Sequence, residues 1–339
     1  SKSFSKSFLR GVFFCAVAGG ALAAAGAAAA SEVEGIEGVK GIEGLEGVDK
    51  LTLVCPFAPG GDTDRNTRIL AKYLGAELGL TVEVENVMGD NGTAGMAYFD
   101  ENHRHHPGML LTFNSSALNC NELTGFSVQN YETYRTVAIF TRGSGDAIVT
   151  RSDAPFKSLN ELLDAVRAQP GKIRLAMCMG DPSDVLVRTL ENKDELNFAL
   201  VDAGDAAMRL SALREGRVDV TFMNFATAKP YLESGELRAL CTTNSESLPG
   251  FAQIPPFTSA GVEDFSTDNF YLLLGPKAMS PELEAKIGAA VERLSSENSE
   301  YREEIESFNL QKPFALSGDA AHAKLTELRD KLQTYKPYL

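Results

Sequence analysis

The chain has 339 residues, with 46 acidic against 32 basic side chains, a formal net charge of −14 and 44% hydrophobic residues. That acidity excludes a nucleic-acid binder, which needs a basic stripe to neutralise phosphates. The length accommodates two domains, each with its own core, and the wide cysteine spacing excludes a zinc ribbon or a CxxC redox site.

In chain order, the first segment reads as an export signal. Lys2, Lys6 and Arg10 form a positive n-region, an Ala-rich apolar stretch follows over 11–27, and Ala28, Ala29 and Ala30 supply small residues for cleavage. Residues 1–30 are therefore expected to be a signal peptide and the mature chain periplasmic. Few strongly apolar residues occupy the stretch, which favours cleavage over an uncleaved anchor. Phe13 and Phe14 stand where a lipoprotein anchor at Cys15 requires small residues. Glycine recurs every third residue over 35–47, without the proline that pre-sets a collagen helix. Residues 31–50 are expected to form a flexible acidic tether. Loss of the signal takes the charge from −14 to −17 and leaves Cys55, Cys120, Cys178 and Cys241, expected to be mostly buried free thiols. Export permits disulfides, and spacing does not decide between the two.

The mature chain reads as β-α-β-α-β: strands at 51–55, 81–85 and 109–113, with helices at 64–78 and 92–101. The pattern continues with strands at 147–150, 173–177, 198–201, 218–223 and 237–242. Helices fall at 159–169, 206–215 and 228–234. A strand at 271–274 precedes Ser280-Pro281, an N-cap with proline at the first helical position. Helices at 281–297, 300–308 and 319–334 complete the chain. This alternation implies mostly parallel sheets with helices on both faces.

Between the first strand and helix lies Pro56-Phe57-Ala58-Pro59-Gly60-Gly61-Asp62-Thr63-Asp64. Its glycines let backbone N–H groups approach an anion, and the helix dipole points at the same place. A plain tight turn fits the residues equally. The segment resembles the opening of the tripartite tricarboxylate transporter receptor family, the TctC/Bug-type periplasmic binding proteins. Glu85-Asn86-Val87-Met88-Gly89-Asp90-Asn91-Gly92-Thr93, the segments at 152–159 and 170–172, Gly216-Arg217-Val218-Asp219, and those at 235–240 and 254–257 continue the resemblance in order.

The resemblance implies an α/β, two-lobe periplasmic binding protein of the Venus-flytrap, type II-like kind with a crossing-strand hinge. Lobe 1 would comprise 51–149 plus 268–339, and lobe 2 150–267. It implies a monomer that captures a small carboxylate or amino-acid ligand and passes it to the large and small membrane subunits of a transporter. No cofactor, no metal and no catalytic residue are expected. Carried over residue by residue, the first-lobe contacts are Phe57, Gly60, Gly61, Asp62, Thr63 and Asp64, with Asn114, Ser115 and Ser116. Those of the second lobe are Gly180, Asp181, Ser183, Asp184, Gly204, Asp205 and Asn224. Backbone amides over 60–64 and the hydroxyls of Thr63, Ser115 or Ser183 are expected to hold the carboxylate. Asp62 stands where the family has a third glycine, Asp184 where histidine is common and Asp205 where glycine is common. No Lys or Arg lies within 56–64, 179–184 or 203–207, so two or more aspartates facing the cleft would point to a ligand with a cationic group or a chelated metal, helix capping being the alternative role for Asp64 and Asp205.

Other constellations carry less. His103, His105 and His106 read as a solvated surface cluster rather than a metal site. Gly89, Gly92 and Gly95 do not have dinucleotide-turn spacing. Ser115 and Ser116 lack a nucleophile elbow. A ligand sensor feeding a signalling partner, or an exported α/β hydrolase, are the alternative functions.

Overall fold

A computed structural model describes residues 48–193, 195–244, 248–257 and 268–339. The expected signal peptide and most of the tether lie outside them. The chain forms two mixed sheets flanked by helices. In the first half, β1 (Lys50–Cys55), α1 (Asp62–Leu78), β2 (Thr81–Asn86), α2 (Thr93–Asn102), β3 (Met109–Asn114), α3 (Ser115–Leu123) and β4 (Arg135–Arg142) follow one another. The second sheet collects β5 (Asp146–Arg151), α4 (Leu159–Ala168), β6 (Arg174–Met177), α5 (Pro182–Lys193) and β7 (Ala199–Asp202). It is completed by α6 (Ala206–Arg214), β8 (Val220–Asn224), α7 (Phe225–Glu233) and β9 (Leu237–Thr242). The chain then returns through β10 (Phe270–Gly275), α8 (Pro281–Glu297), α9 (Ser299–Asn309), β11 (Leu316–Ser317) and α10 (Gly318–Gln333).

The first sheet has the order β11-β4-β10-β3-β1-β2 and the second β7-β6-β8-β5-β9. In the first sheet β10 runs antiparallel to β3 and β4, and the short edge strand β11 to β4; in the second, β5 runs antiparallel to β8 and β9. Of these, β10 and β5 are the strands entered from the other sheet. A strand that starts where its predecessor in the opposite lobe ended must run away from that edge, so both crossings lie on one side. The carboxyl ends of the parallel strands in both sheets therefore face the same gap, where ligands bind in open α/β sheets.

The first crossing is short. Gly143 N donates to Asn269 O at 2.8 Å, tying it to the returning chain. Gly145 sits at φ +71°, and a Cβ there would overlap the Asn244 side chain, so glycine is required on both counts. The expected division at 149/150 falls inside β5, which belongs entirely to the second sheet; the change of sheet occurs over 143–145.

Apolar side chains on both faces of the central strands explain the layering. Every residue of β3 and β10 is buried, as central strands covered by helices on both faces require. Leu70, Leu74, Ile287, Val291 and Ile305 pack on one face of the first sheet, and Met96, Phe99, Leu118, Leu325 and Leu328 on the other. Each buried Leu or Ile contributes roughly 1.5–3 kcal/mol. Ser280 caps α8 by accepting from Leu283 N, with Pro281 at its start. The C-terminus does not stay in the first lobe. Leu332 and Tyr335 join the core around Leu186 and Leu190, and Asn192 Nδ2 donates to Tyr338 O at 2.6 Å. Among the described residues no helix is long and apolar enough to cross a membrane.

Candidate functional site

Two of the β-to-α loops that face the gap, one in each lobe, share one device. In the first lobe Gly60, at φ +85°, donates its N–H to Asp64 Oδ2 at 2.8 Å, and Arg68 Nε reaches the same oxygen at 3.0 Å. In the second, Gly180, at φ +83°, donates to Asp184 Oδ2 at 3.0 Å, and Arg188 Nε holds Asp184 Oδ1 at 2.7 Å. Glycine supplies the left-handed turn, the aspartate four residues on fastens it, and the arginine a further helical turn away orients the aspartate. Asn86 Nδ2 adds bonds to Asp64 Oδ1 and to Phe57 O, at 2.8 and 2.9 Å. Burial raises the Asp64 pKa, but the bonds from Arg68, Gly60 and Asn86 outweigh it and hold the carboxyl below its ordinary value. Asp64 and Asp184 thus shape the loops, each with its oxygens already engaged.

Asp62 and Asp181 occupy the helix N-termini themselves. The Asp62 carboxylate accepts from its own amide and that of Thr63, and Tyr271 Oη donates to its Oδ2 at 2.6 Å. Asp181 Oδ1 accepts from Ser183 N at 2.7 Å and Asp184 N at 3.3 Å, and also from the Ser183 hydroxyl. The amides over 60–63 are consequently spent within the loop, because Gly61 N donates to Ala58 O at 3.2 Å and Gly60 N serves Asp64. A ligand carboxylate expected at the amides over 60–64 therefore competes with the chain's own side chains, which sit at the positive ends of both helices. Burial pushes the Asp62 pKa up, with Tyr271, the two amides and Arg209 opposing it.

The other expected residues collect at the same facing ends. Asn114 caps α3 by accepting from Ala117 N, and its Nδ2 donates to Thr63 Oγ1 at 3.1 Å. Ser115 Oγ accepts from Phe270 N and Ser116 N donates to Asn269 Oδ1, which places both at the returning crossing. Phe57 packs edge-on against Phe113, with its ring 5.2 Å away. Asn224 ends β8 and caps α7 through Ala226 N, and its buried Nδ2 has no partner among the described residues. Gly204 offers its carbonyl to Arg209. Asp205 is exposed and caps α6 through Met208 N at 3.0 Å, which is a local role. Across the gap, the Phe126 ring of the first lobe covers Gly180 so closely that a Cβ would lie 2.7 Å from it.

Sequence reasoning missed Arg209 and Tyr271. Arg209 lies in the first turn of α6, outside the loops at 56–64, 179–184 and 203–207. Side chains on a helix lean towards its N-terminus, so the guanidinium reaches back to bond Asp181 Oδ2 and Gly204 O, both at 2.8 Å. The aspartate-only charge count is corrected accordingly: a buried cation stands among these carboxylates. A charged residue between Met208 and Leu210 on a helix expected to pack was the signal available.

The four cysteines among the described residues are free thiols, with Cys55, Cys120 and Cys241 buried and Cys178 half-buried. Burial pushes Cys55 up to about 11 and Cys178 and Cys241 up to about 12, which makes them poor nucleophiles. Among the described residues no group of three His, Cys, Asp or Glu is placed to hold a metal.

The profile of the Tripartite tricarboxylate transporter family receptor matches residues 67–329. Protein BugT of Bordetella pertussis is 24% identical over 239 residues, 69% of this chain and 72% of that protein. An adipate-bound protein of R. palustris shares the fold at a TM-score of 0.78 and 20% identity, covering 85% of this chain and 96% of its own. MatC from Rhodopseudomonas palustris with bound malate gives 0.74 at 22% identity, covering 86% and 99%. The periplasmic binding protein BugD gives 0.73 at 21%, covering 85% and 97%. With two mixed α/β lobes and matching β-to-α loops at their facing ends, the chain belongs to the tripartite tricarboxylate transporter receptor family of periplasmic solute-binding proteins.

Proposed function

We propose that this chain is an extracytoplasmic receptor, exported by a cleaved signal peptide, that traps a small carboxylate-bearing molecule between its lobes. It delivers that molecule to the large and small membrane subunits of a tripartite carrier, and it binds rather than transforms its ligand. The observation that carries this reading is the pair of Gly–Asp–Arg-fastened loops, one per lobe, at the facing carboxyl ends of the two sheets. The adipate and malate bound by two structural relatives fit the same class of ligand. Two rigid loops on separate lobes favour closure when one ligand touches both, because a ligand shifts the equilibrium only through interactions it makes in the closed state and lacks in the open one.

Native mass spectrometry of freshly purified protein tests the reading, followed by calorimetry with small mono-, di- and tricarboxylates and small-angle scattering with the best of them. A retained or titrated organic acid, with a smaller radius of gyration on binding, is expected. Turnover of an ester or amide substrate, or an unchanged scattering profile at saturation, overturns it. Uptake into vesicles carrying the two membrane subunits, dependent on the receptor, tests delivery.

A further inference from the structure

Arg209 is 5% exposed. Its Nη1 is committed to Asp181 and Gly204, but its Nε, also buried, has no partner among the described residues. Buried N–H groups on a cation are rarely left unmatched, because the low dielectric that strengthens a bond also penalises its absence. Nε belongs to the side-on edge of the guanidinium, the edge that receives a carboxylate as a fork. The group lies where the lobes meet: it bonds Asp181 of its own lobe, and its charge acts on Asp62 of the other. Both helix N-termini in the gap are already filled by Asp62 and Asp181. An incoming anion finds those amides engaged and meets Arg209, a buried cation with a donor to spare; Arg142 at the end of β4 also has an unpartnered Nε, but it is paired with Asp268 and more exposed.

We infer that Arg209 is the specificity-determining residue of the cleft and holds a carboxylate of a small organic acid through its Nε edge. This rests on the cleft being the receptor site proposed above. The bond to Asp181 fixes the plane of the guanidinium and leaves the opposite edge for the ligand. Recognition therefore depends on a planar, bidentate anion, and an amide of the same shape presents one acceptor and a mismatched donor.

The test is calorimetry with a panel of three- to six-carbon acids, each beside its isosteric amide, for example succinate, succinamate and succinamide. Wild-type protein is expected to prefer acid over amide by roughly ten- to a hundredfold. Arg209→Lys keeps the charge and loses the fork, so the preference falls to a few-fold. Arg209→Met combined with Asp181→Asn removes the cation without leaving a bare buried carboxylate, so the preference disappears while thermal unfolding stays cooperative. An unchanged acid-to-amide preference in both variants, whatever happens to their melting temperatures, makes Arg209 a structural ion-pair partner and overturns the inference alone. Failure of wild-type protein to bind any acid of the panel overturns the receptor reading and the inference with it.

Discussion

Asp64→Ala tests the loop-fastening device directly. Asp64 is 2% exposed and accepts from Gly60 N and Asn86 Nδ2, both at 2.8 Å. Arg68 is half-exposed and already solvated, so its ion pair adds little. Asn86 Nδ2 keeps its second bond to Phe57 O, which leaves Gly60 N–H as the group most fully orphaned. Losing these charge-assisted bonds is expected to cost about 2–3 kcal/mol, or about 5–10 °C in melting temperature for a lobe of this size. The effect has a pH signature. The folded-state pKa of Asp64 lies below its ordinary value, so its contribution is fully present above the unfolded pKa of about 3.9. It is lost as pH falls through the folded pKa. The gap between wild type and Asp64→Ala should be constant from pH 5 to 7 and narrow below pH 4, measured by urea midpoints at each pH. Asp184→Ala, which frees Gly180 N in the second lobe, should cost a similar amount. A loss under about 0.5 kcal/mol in either variant refutes the claim that these aspartates hold the loops.

Three further outcomes are expected. Asp62 has a raised pKa from burial, so the wild type should lose stability as pH rises from the unfolded Asp value, about 3.9, through the folded one. Asp62→Asn should flatten that slope and be the more stable near neutrality; parallel slopes in urea midpoints speak against it. Gly180→Ala combines φ +83° with a Cβ 2.7 Å from the Phe126 ring. It should cost at least about 1–2 kcal/mol, part of which Phe126→Ala restores in a double-mutant cycle; equal costs in both backgrounds remove the proposed contact. With an aromatic disulfide reagent at pH 8, Cys178 alone should react in the native protein, and slowly, because its pKa is pushed up to about 12. Two or more fast thiols contradict the burial.

Features set by local physics can be read along the chain. Ser280 followed by Pro281 marked the start of α8, and the apolar face of Ile69, Leu70, Tyr73, Leu74 and Leu78 marked α1. The loop at 56–64 was legible because paired glycines between a strand and a helix mark a left-handed turn that other residues disfavour, as Gly60 adopts. Besides the two-residue β11, three elements went unread. β4 carries a plain apolar run, Val137-Ala138-Ile139-Phe140, yet neither its length nor its flanks say that it sits beside β10. α3 is built of Ser, Asn and Cys, weak helix formers, and is held by its Asn114 cap and by packing. α5 begins at Asp181-Pro182, a sound cap that was assigned to the ligand instead.

The distribution of charge in the gap follows from packing in three dimensions. Asp62, Asp64, Asp181, Asp184 and Asp205 look alike in sequence. The fold gives the second and fourth to glycine amides, the first and third to helix N-termini, and the last to an exposed cap. Arg209 comes to Asp181 from 28 residues away. Backbone preferences act over a few residues and can be read in order along the chain, but electrostatic partners are chosen by distance in space, which only the packed lobes define.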